Sequence, residues 1–328
     1  MHLPLKPLLI HSLSEFRQLI DILIRMQNAK SVVEIGAEFG PITKSLIEMV
    51  EESQLERLHI IDPSPKQKLL DLLSLKKTNG INFIQQLSIQ ALPQIPPADI
   101  YIIDGDHNYY TVVTELEIIS SSHLGEELPV IFLHDVCWPC GRRDQYHSPS
   151  QIPETFLHQH DFHKGITLGN QGMINGGFRS NGNFSIACKE GGPNNGVLTA
   201  AEEFMAKHPE YSMHIIPAVF GLAILTPVGS ASERHLDSEG IKSLTPLLKN
   251  MEENRLQLYL HVIELQDKLV KFESQSIRQL LVRIFTLICQ RFNSSVATWP
   301  ASRCDLFVSK ETIAFSTKFC FADCPKKV

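Results

Sequence analysis

The segment that decides the fold is residues 32–40, with the sequence V-V-E-I-G-A-E-F-G. Its first four residues form an apolar, strand-like run, and residues 42–46 after it follow a helical pattern. The turn between them reads E-x-G-x-x-x-G. Glycine lets a backbone approach a ligand closely, and the N–H groups at a helix start favour an anionic or polar partner. The spacing differs from the dinucleotide pattern G-x-G-x-x-G and from the phosphate-loop pattern, so we expect a ligand-binding turn of another class.

Further apolar runs follow this turn and predict four more strands. They lie at residues 58–61, 81–84, 99–103 and 130–133, with helical stretches at 66–75 and 110–120 between them. Near-continuous apolar runs are typical of parallel strands that are covered on both faces. Strands that alternate with helices predict a doubly wound α/β sheet.

Polar side chains mark the carboxyl ends of the predicted strands. These residues are Glu34, Asp62, Ser88, Asp104 and Asp135. Ligands of doubly wound sheets bind at this edge. An acid at the end of the second strand can accept both hydroxyls of a ribose, although an Asp before a proline also starts turns. The clustering favours a nucleoside ligand.

Four segments together resemble a known family. The segments V-V-E-I-G-A-E-F-G, I-I-D-P-S-P, I-I-D-G-D-H-N-Y and L-H-D-V-C-W-P are similar to class I methyltransferases that use S-adenosylmethionine (SAM). Among these, the chain resembles the small-molecule and sugar O-methyltransferases with the I-D-G-D-H-x-Y signature (methyltransferase family 24-like), over roughly residues 12–226. The resemblance implies a Rossmann-like, seven-stranded sheet, SAM as methyl donor and an oxygen acceptor such as a sugar hydroxyl.

The resemblance also implies which residues hold the cofactor. They are Glu34, Gly36, Ala37, Glu38, Gly40, Asp62, Ser88, Ile89, Asp104 and Gly105. Many relatives have an acid near the position of Gln85 and Gln86, and this chain has none. Contacts to the adenine would therefore fall to Ser88 and Ile89.

Transfer of a methyl group to a hydroxyl requires a base near the acceptor. His107, His134 and Asp135 lie at predicted strand ends and are the candidate bases. Histidine suits this role because its ordinary pKa lies near neutrality. The alternative for His134 is a half-buried side chain that is bonded to backbone.

Two of the acids also form a candidate metal site. Asp104 and Asp135 could hold Mg²⁺, which prefers oxygen ligands and would lower the pKa of an acceptor hydroxyl. Metal-dependent relatives use acids at these two strand ends and usually add an Asn or Asp after the second, where this chain has Val136. The alternative for Asp104 is a helix cap.

Residues 138–196 are rich in loops and predict an acceptor-binding region or lid. We expect Arg142, Arg143 and Tyr146 to face the substrate, because an arginine pair can grip a phosphate or carboxylate. The alternative is solvated charges on a surface loop. The C-x-x-C pair Cys137 and Cys140 encloses a proline and predicts a loop with reduced thiols rather than a redox or zinc site.

The composition changes after the predicted domain at residues 1–228, whose N-terminal helix we place at 12–30. A linker is predicted at 229–243 and helices at 244–292, while the tail 293–328 carries no readable function. Apolar residues at alternating spacings of three and four within 248–272 predict a coiled-coil homodimer; a helix folded back on its own domain shows the same stripe. The seam comprises Leu248, Met251, Arg255, Leu258, Val262, Leu265, Leu269 and Phe272.

Composition and charge exclude some functions. A net charge of −6 and a pI near 6.2 disfavour a general nucleic-acid-binding surface. No apolar run reaches the roughly 20 residues that span a bilayer, and we expect a cytoplasmic protein. The alternative to an enzyme is a non-catalytic SAM-fold scaffold that dimerises through its coiled coil. A hydroxylase-like relative would need a His-His-carboxylate triad, for which the sequence gives no clear signal.

Overall fold

The computed structural model describes residues 9–76, 78–123 and 127–292. Its strands are β1 (Ser31–Ile35), β2 (Arg57–Ile61), β3 (Ile81–Ile84), β4 (Ile100–Ile103), β5 (Val130–His134), β6 (Gln145–Tyr146), β7 (His160–Asp161), β8 (Ser185–Ala187), β9 (Tyr211–Ile216) and β10 (Leu222–Pro227). Its α-helices are α1 (Arg17–Met26), α2 (Pro41–Glu51), α3 (Gln67–Leu75), α4 (Ser88–Ala91), α5 (Tyr109–Ser122), α6 (Val197–Lys207), α7 (Ala231–Ser238) and α8 (Ile241–Phe292). Short 3-10 helices lie at Leu13–Phe16, Leu92–Gln94 and Pro149–Gln151.

Seven strands form one sheet, in the order β3-β2-β1-β4-β5-β10-β9. The first five are parallel, and β10 runs antiparallel to both β5 and β9. The predicted doubly wound, Rossmann-like sheet is therefore confirmed, and each of the five predicted strands lies within one residue of its expected place. The strand order reverses between β1 and β4, and that reversal leaves a crevice at the carboxyl ends of these strands.

Helices cover both faces of the sheet. One apolar core joins α1, α2 and α7 to the sheet, and the other joins α5 and α6 to its opposite face. The predicted N-terminal helix is present as a 3-10 turn followed by α1. Ile20, Leu23 and Ile24 of α1 are at most 2% exposed and pack on a face of the sheet.

Part of the predicted lid region is ordered by a second sheet. Strands β6, β8 and β7 form this antiparallel sheet within the insertion between β5 and α6. Tyr146 on β6 lies in a small apolar core with Ile152 and Ala187. The insertion is thus a packed subdomain and not an irregular loop throughout.

The predicted linker at 229–243 is wrong, because it contains α7 and the start of α8. The segment S-A-S-E at 230–233 is a capping box: the Glu233 N–H donates to Ser230 Oγ, and Glu233 Oε2 accepts from the Gly229 N–H. Leu236 of α7 is fully buried in the core with α1. Serine and glycine here start a helix, whereas their abundance suggested a flexible connection.

Helix α8 is continuous over 52 residues, so the two helices predicted in 244–292 are one. Two compact units divide the chain at residues 1–267 and 268–328. Within the first unit, Leu256 is 2% and Glu252 7% exposed, whereas Leu258 is 61% and Leu265 50% exposed. The packed face of α8 is therefore not the heptad seam. The predicted tail 293–328 lies outside the described residues.

No helix among the described residues combines the length and the apolar character that crossing a membrane would require.

Candidate active site

The turn after β1 packs directly against the end of β4. Gly36 has φ +84°, and a Cβ built on it would lie 2.1 Å from the carbonyl oxygen of Asp104. Only glycine fits this position, because the left-handed backbone and the missing side chain are both required. The E-x-G-x-x-x-G turn therefore brings the ends of β1 and β4 into contact.

Glu34 supports this turn from inside. It is 3% exposed and accepts a hydrogen bond from Thr43 Oγ1 at 2.7 Å. The pKa of Glu34 is raised to about 8, chiefly by burial and also by the nearby charges of Asp104 and Asp62, while the hydrogen bond from Thr43 lowers it in part. Glu34 therefore belongs to the interior of the turn, and its predicted contact with a cofactor stays a prediction.

Asp62 joins the first turn to the second. Its Oδ2 accepts from the Glu38 N–H and its Oδ1 from the Ser64 N–H, both at 2.8 Å. The bond from the Ser64 N–H closes the turn that an Asp before proline commonly starts. The alternative role of Asp62, as a turn residue, is therefore present in the structure. Each carboxylate oxygen keeps a second lone pair for another donor. Both the turn role and a ligand role are therefore compatible with this geometry.

The third motif lies at the start of α4, where Ser88 is 8% exposed. Glu115 of α5 lies beneath it with no exposed surface. Burial raises the pKa of Glu115 to about 8, with Ser88 lowering it in part. The sequence analysis missed Glu115, although its helical spacing from the buried Val112 and Ile119 marks a polar residue within an apolar stripe.

Two acids and two histidines form a compact ion-pair network at the ends of β4 and β5. His134 Nδ1 lies 2.9 Å from Asp104 Oδ1, and His107 Nε2 lies 2.9 Å from Asp135 Oδ2. The crossed distances, His107 Nε2 to Asp104 Oδ1 and His134 Nδ1 to Asp135 Oδ2, are both 3.5 Å. Each carboxylate therefore faces both imidazoles.

The network shifts the pKa of Asp104, His134 and His107 in the directions expected for mutual stabilisation. Burial alone would raise the pKa of Asp104, but His134 and His107 lower it to about 2. Burial opposes the charge on His134, yet Asp135 and Asp104 raise its pKa to about 9. The pKa of His107 is raised well above its ordinary value, mainly by Asp135 against the cost of burial. Two carboxylates are thus balanced by two imidazolium groups.

His134 has no free nitrogen for catalysis. Its side chain is 1% exposed, and Nε2 donates to the carbonyl of Val219 at 2.8 Å while Nδ1 faces Asp104. A histidine with both nitrogens as donors is protonated. The prediction of His134 as a general base is wrong in this geometry, and the backbone-bonded alternative describes it.

His107 is the more accessible histidine, with its side chain 17% exposed. Its Nε2 faces Asp135, and its Nδ1 lies 3.4 Å from Gln145 Nε2. Gln145 on β6 also donates its N–H to the His107 carbonyl at 2.9 Å. The sequence analysis missed Gln145, because no pattern linked the insertion to the end of β4. An Asp–His pair of this kind can hold one tautomer and leave the other nitrogen to accept a proton.

The same cluster offers a set of cation ligands. One ligand atom each from Asp104, His107 and Asp135 lies within 4.8 Å of the others. Two carboxylates and an imidazole suit a divalent cation. The structure therefore brings together Asp104 and Asp135, the two predicted ligands, and places His107 beside them as a third candidate ligand.

The predicted substrate residues of the insertion have structural partners. Arg143 is 1% exposed and donates to the carbonyls of Ala187 and Gln171, both at 2.8 Å. Tyr146 has no exposed surface and donates to Asp144 Oδ2 at 2.8 Å. The prediction that these two side chains face a substrate is wrong in this structure, because both are buried and their hydrogen bonds are made within the insertion. Arg142 pairs with both carboxylate oxygens of Glu202 at 2.6 Å and forms a surface ion pair.

Cys137 and Cys140 are free thiols of low reactivity, as the predicted loop implies. Burial raises the pKa of Cys137 to about 11 and that of Cys140 well above its ordinary value. A thiol held protonated is a poor nucleophile and metal ligand.

Comparison with known proteins gives a match to a family model over part of the chain. A family model described as a methyltransferase domain matches residues 33–136, which include the first turn and the ends of β4 and β5. No curated protein matches the chain.

Solved structures of methyltransferases also align with the chain. The SAM-bound O-methyltransferase TomG from Streptomyces achromogenes, involved in tomaymycin synthesis, is 13% identical with a TM-score of 0.40, covering 67% of this chain and 82% of that protein. The methyltransferase PaMTH1 from Podospora anserina, bound to S-adenosylhomocysteine (SAH), is 12% identical with a TM-score of 0.39, covering 64% of this chain and 77% of that protein. Likeness at this level does not define a substrate.

Substitution of Gly36 by Ala tests the contact between the first turn and β4. The added Cβ would meet the Asp104 carbonyl, whereas Ala at Gly191, with φ +80°, would meet nothing within 4 Å. We expect Gly191→Ala to lower the free energy of unfolding by about 1–2 kcal/mol, the strain of a left-handed backbone. Gly36→Ala should lose a further ~1–3 kcal/mol from the clash. Urea titration measures both, and equal losses would contradict the close packing at Gly36.

Proposed function

We propose that the chain transfers a methyl group from SAM to a hydroxyl of a sugar or comparable hydroxylated metabolite. A family model described as a methyltransferase domain matches residues 33–136 and supports this proposal. The observation that supports this best is the shared edge of the sheet. There the turn at Gly36 and the acids Asp62 and Asp104 adjoin the accessible His107–Asp135 pair.

The residues at this edge fit the chemistry of SAM. When bound, SAM supplies a methyl group on a positively charged sulfur, which needs no further activation. The acids Asp62 and Asp104 lie on either side of the first turn, since Asp62 accepts from the Glu38 N–H and Gly36 packs against the Asp104 carbonyl. Acids favour a cationic ligand, and the free lone pairs of Asp62 suit the two hydroxyls of a ribose. Ser88 and Ile89, at the start of α4, are the proposed adenine contacts.

His107 is the proposed general base. Asp135 faces its Nε2 and keeps a proton there. Nδ1, which lies 3.4 Å from Gln145 Nε2, accepts the proton of the acceptor hydroxyl when that hydroxyl takes the place of the amide. His134 fixes Asp104 from the buried side without taking part in proton transfer. The insertion that contains Gln145 closes over His107 and would exclude water from the acceptor.

Binding of SAM tests the role of Asp62 against a matched control. Asp62 and Asp99 both accept two backbone N–H groups, but Asp99 does so from Lys30 and Ser31 at the amino end of β1. We expect Asp62→Ala to weaken SAM binding more than ~10-fold, since hydrogen bonds to charged groups contribute about 1.5–3 kcal/mol each. Asp99→Ala should lower stability while leaving SAM affinity unchanged in calorimetric titration.

Two outcomes of this titration contradict the proposal in different ways. Equal SAM affinity in Asp62→Ala and the wild type would remove the ribose role. Absence of SAM binding to the wild type would leave the non-catalytic scaffold as the function.

Replacement of His107 tests the proposed base. We expect His107→Ala to reduce kcat by about 10²–10⁴-fold with SAM affinity retained, the usual contribution of a general base. His163→Ala, which removes an exposed histidine of the same insertion, should leave kcat unchanged. The wild-type rate should rise with pH, because the raised pKa of His107 must be exceeded before the ring is neutral. Turnover by His107→Ala at the wild-type rate would assign the base elsewhere.

A divalent cation such as Mg²⁺ is a second proposal for the same site. It is supported by the convergence of Asp104, His107 and Asp135, which would hold the ion and through it lower the pKa of an acceptor hydroxyl. Dialysis against a chelator should then abolish methyl transfer, and Mg²⁺ should restore it. Unchanged turnover after dialysis would exclude the cation and leave proton transfer to His107 alone.

The exposed seam of α8 is the proposed surface of a homodimer. Leu258 and Leu265 are 61% and 50% exposed and face away from the packed side of the helix. We expect the double substitution Leu258→Lys and Leu265→Lys to give a monomer by sedimentation, since charge at a coiled-coil seam opposes association. Val270→Lys changes an exposed residue off the seam and should keep the dimer. A monomeric wild type would contradict the proposed homodimer.

The cytoplasmic location of the protein stays a prediction.

A further inference from the structure

The turn between β9 and β10 has a strained backbone next to the active site. Val219 and Phe220 have φ of +51° and +66°, in the left-handed region. A β-branched residue there is a genuine outlier, and such a conformation persists only when its surroundings enforce it. The carbonyl of Val219 is the acceptor for His134 Nε2 at 2.8 Å. The strained turn thus determines one of the two hydrogen bonds that orient His134.

Helix α8 provides a restraint for this turn. Glu252 is 7% exposed, and its Oε1 accepts from the Phe220 N–H at 3.0 Å. Arg255 donates to the same carboxylate through Nε at 2.7 Å and Nη2 at 2.5 Å. The guanidinium also lies over the Phe220 ring, 5.2 Å from its centroid. A paired, nearly buried carboxylate on a rigid helix is a strong anchor for a backbone N–H.

Arg255 also reaches the N-terminal segment. Its Nη1 donates to the carbonyl of Ile10 at 2.8 Å. The 3-10 helix Leu13–Phe16 follows directly, and the ring of Phe16 contacts that of His134 edge-on, with 6.2 Å between centroids. Two separate segments that contact His134 are therefore held by one ion pair on α8.

We propose that Glu252 and Arg255 are positioning residues for methyl transfer. By holding the Val219–Phe220 turn and the N-terminal segment, they orient His134, and His134 in turn fixes Asp104 beside His107 and Asp135. This inference rests on the proposed function of that site. It also explains why an arginine interrupts the heptad seam at position 255. Arg255 binds the domain through Glu252 and the Ile10 carbonyl, while its neighbours on the seam are exposed.

The test compares Glu252→Ala with Glu252→Gln and with Glu253→Ala, an exposed neighbour on α8, all in the full chain. Glu252→Ala should lower kcat by about 10-fold to 100-fold, the effect of a small displacement of catalytic groups, with SAM affinity unchanged. Glu252→Gln keeps an oxygen acceptor for the Phe220 N–H and should retain most of kcat. Glu253→Ala should match the wild type.

A second readout follows the ring of His134 directly. The ring-nitrogen NMR signals of His134 should shift in Glu252→Ala, and they should match the wild type in Glu253→Ala. Unshifted signals in folded Glu252→Ala, or wild-type kcat in that variant, would overturn the proposal. If Glu252→Ala fails to fold, Arg255→Ala takes its place, and unshifted His134 signals or wild-type kcat in that variant overturn the proposal.

The NMR readout also separates this inference from the proposed function. A shifted His134 signal in a protein that never transfers a methyl group would refute the proposed function and leave the positioning contact intact.

Discussion

The proposed active site depends on keeping two carboxylates together at the ends of adjacent strands. The register of β4 and β5 places Asp104 and Asp135 at the same edge, each just after its strand. Two like charges about 5 Å apart repel by about 3 kcal/mol at an effective dielectric constant of about 20. His134 and His107 offset this repulsion with distances of 2.9 Å to one carboxylate each and 3.5 Å to the other.

The two histidines have different tasks because their surroundings differ. His134 is enclosed, with both nitrogens committed to Asp104 and the Val219 carbonyl. His107 lies nearer the surface, between Asp135 and the insertion that carries Gln145. A buried, doubly bonded imidazole is a fixed positive charge, whereas a partly exposed one paired with a single acid can exchange a proton. Identical side chains thus serve structure and proposed catalysis a few ångströms apart.

Local patterns predicted the strands well, because buried parallel strands have apolar runs that contrast with their turns. The same patterns placed Asp62, Asp104 and Asp135 at one edge, since parallel strands end together. These patterns could not predict which groups each side chain would contact. Arg143 and Tyr146 lie in an insertion whose fold depends on contacts distant in sequence, such as the Ala187 carbonyl, and they are buried where exposure was expected.

The C-terminal region shows the same limit more clearly. Ser230 and Glu233 form a capping box, but the surrounding serine and glycine suggested a linker. The heptad pattern of α8 predicts a seam for a homodimer, which stays a prediction, and it gave no sign of the contact in which Glu252 accepts from the Phe220 N–H. A pairing between helix α8 and the β9–β10 turn leaves no periodic signal, so only the three-dimensional structure reveals it.

A structure of the protein with SAH tests the central claim most directly. The account predicts the ribose hydroxyls within hydrogen-bond distance of Asp62, the adenine beside Ser88, and the sulfur facing the crevice between Asp104 and His107. SAH bound at another surface, or these three groups of the ligand lying away from the carboxyl ends of β1, β2 and β4, would contradict it.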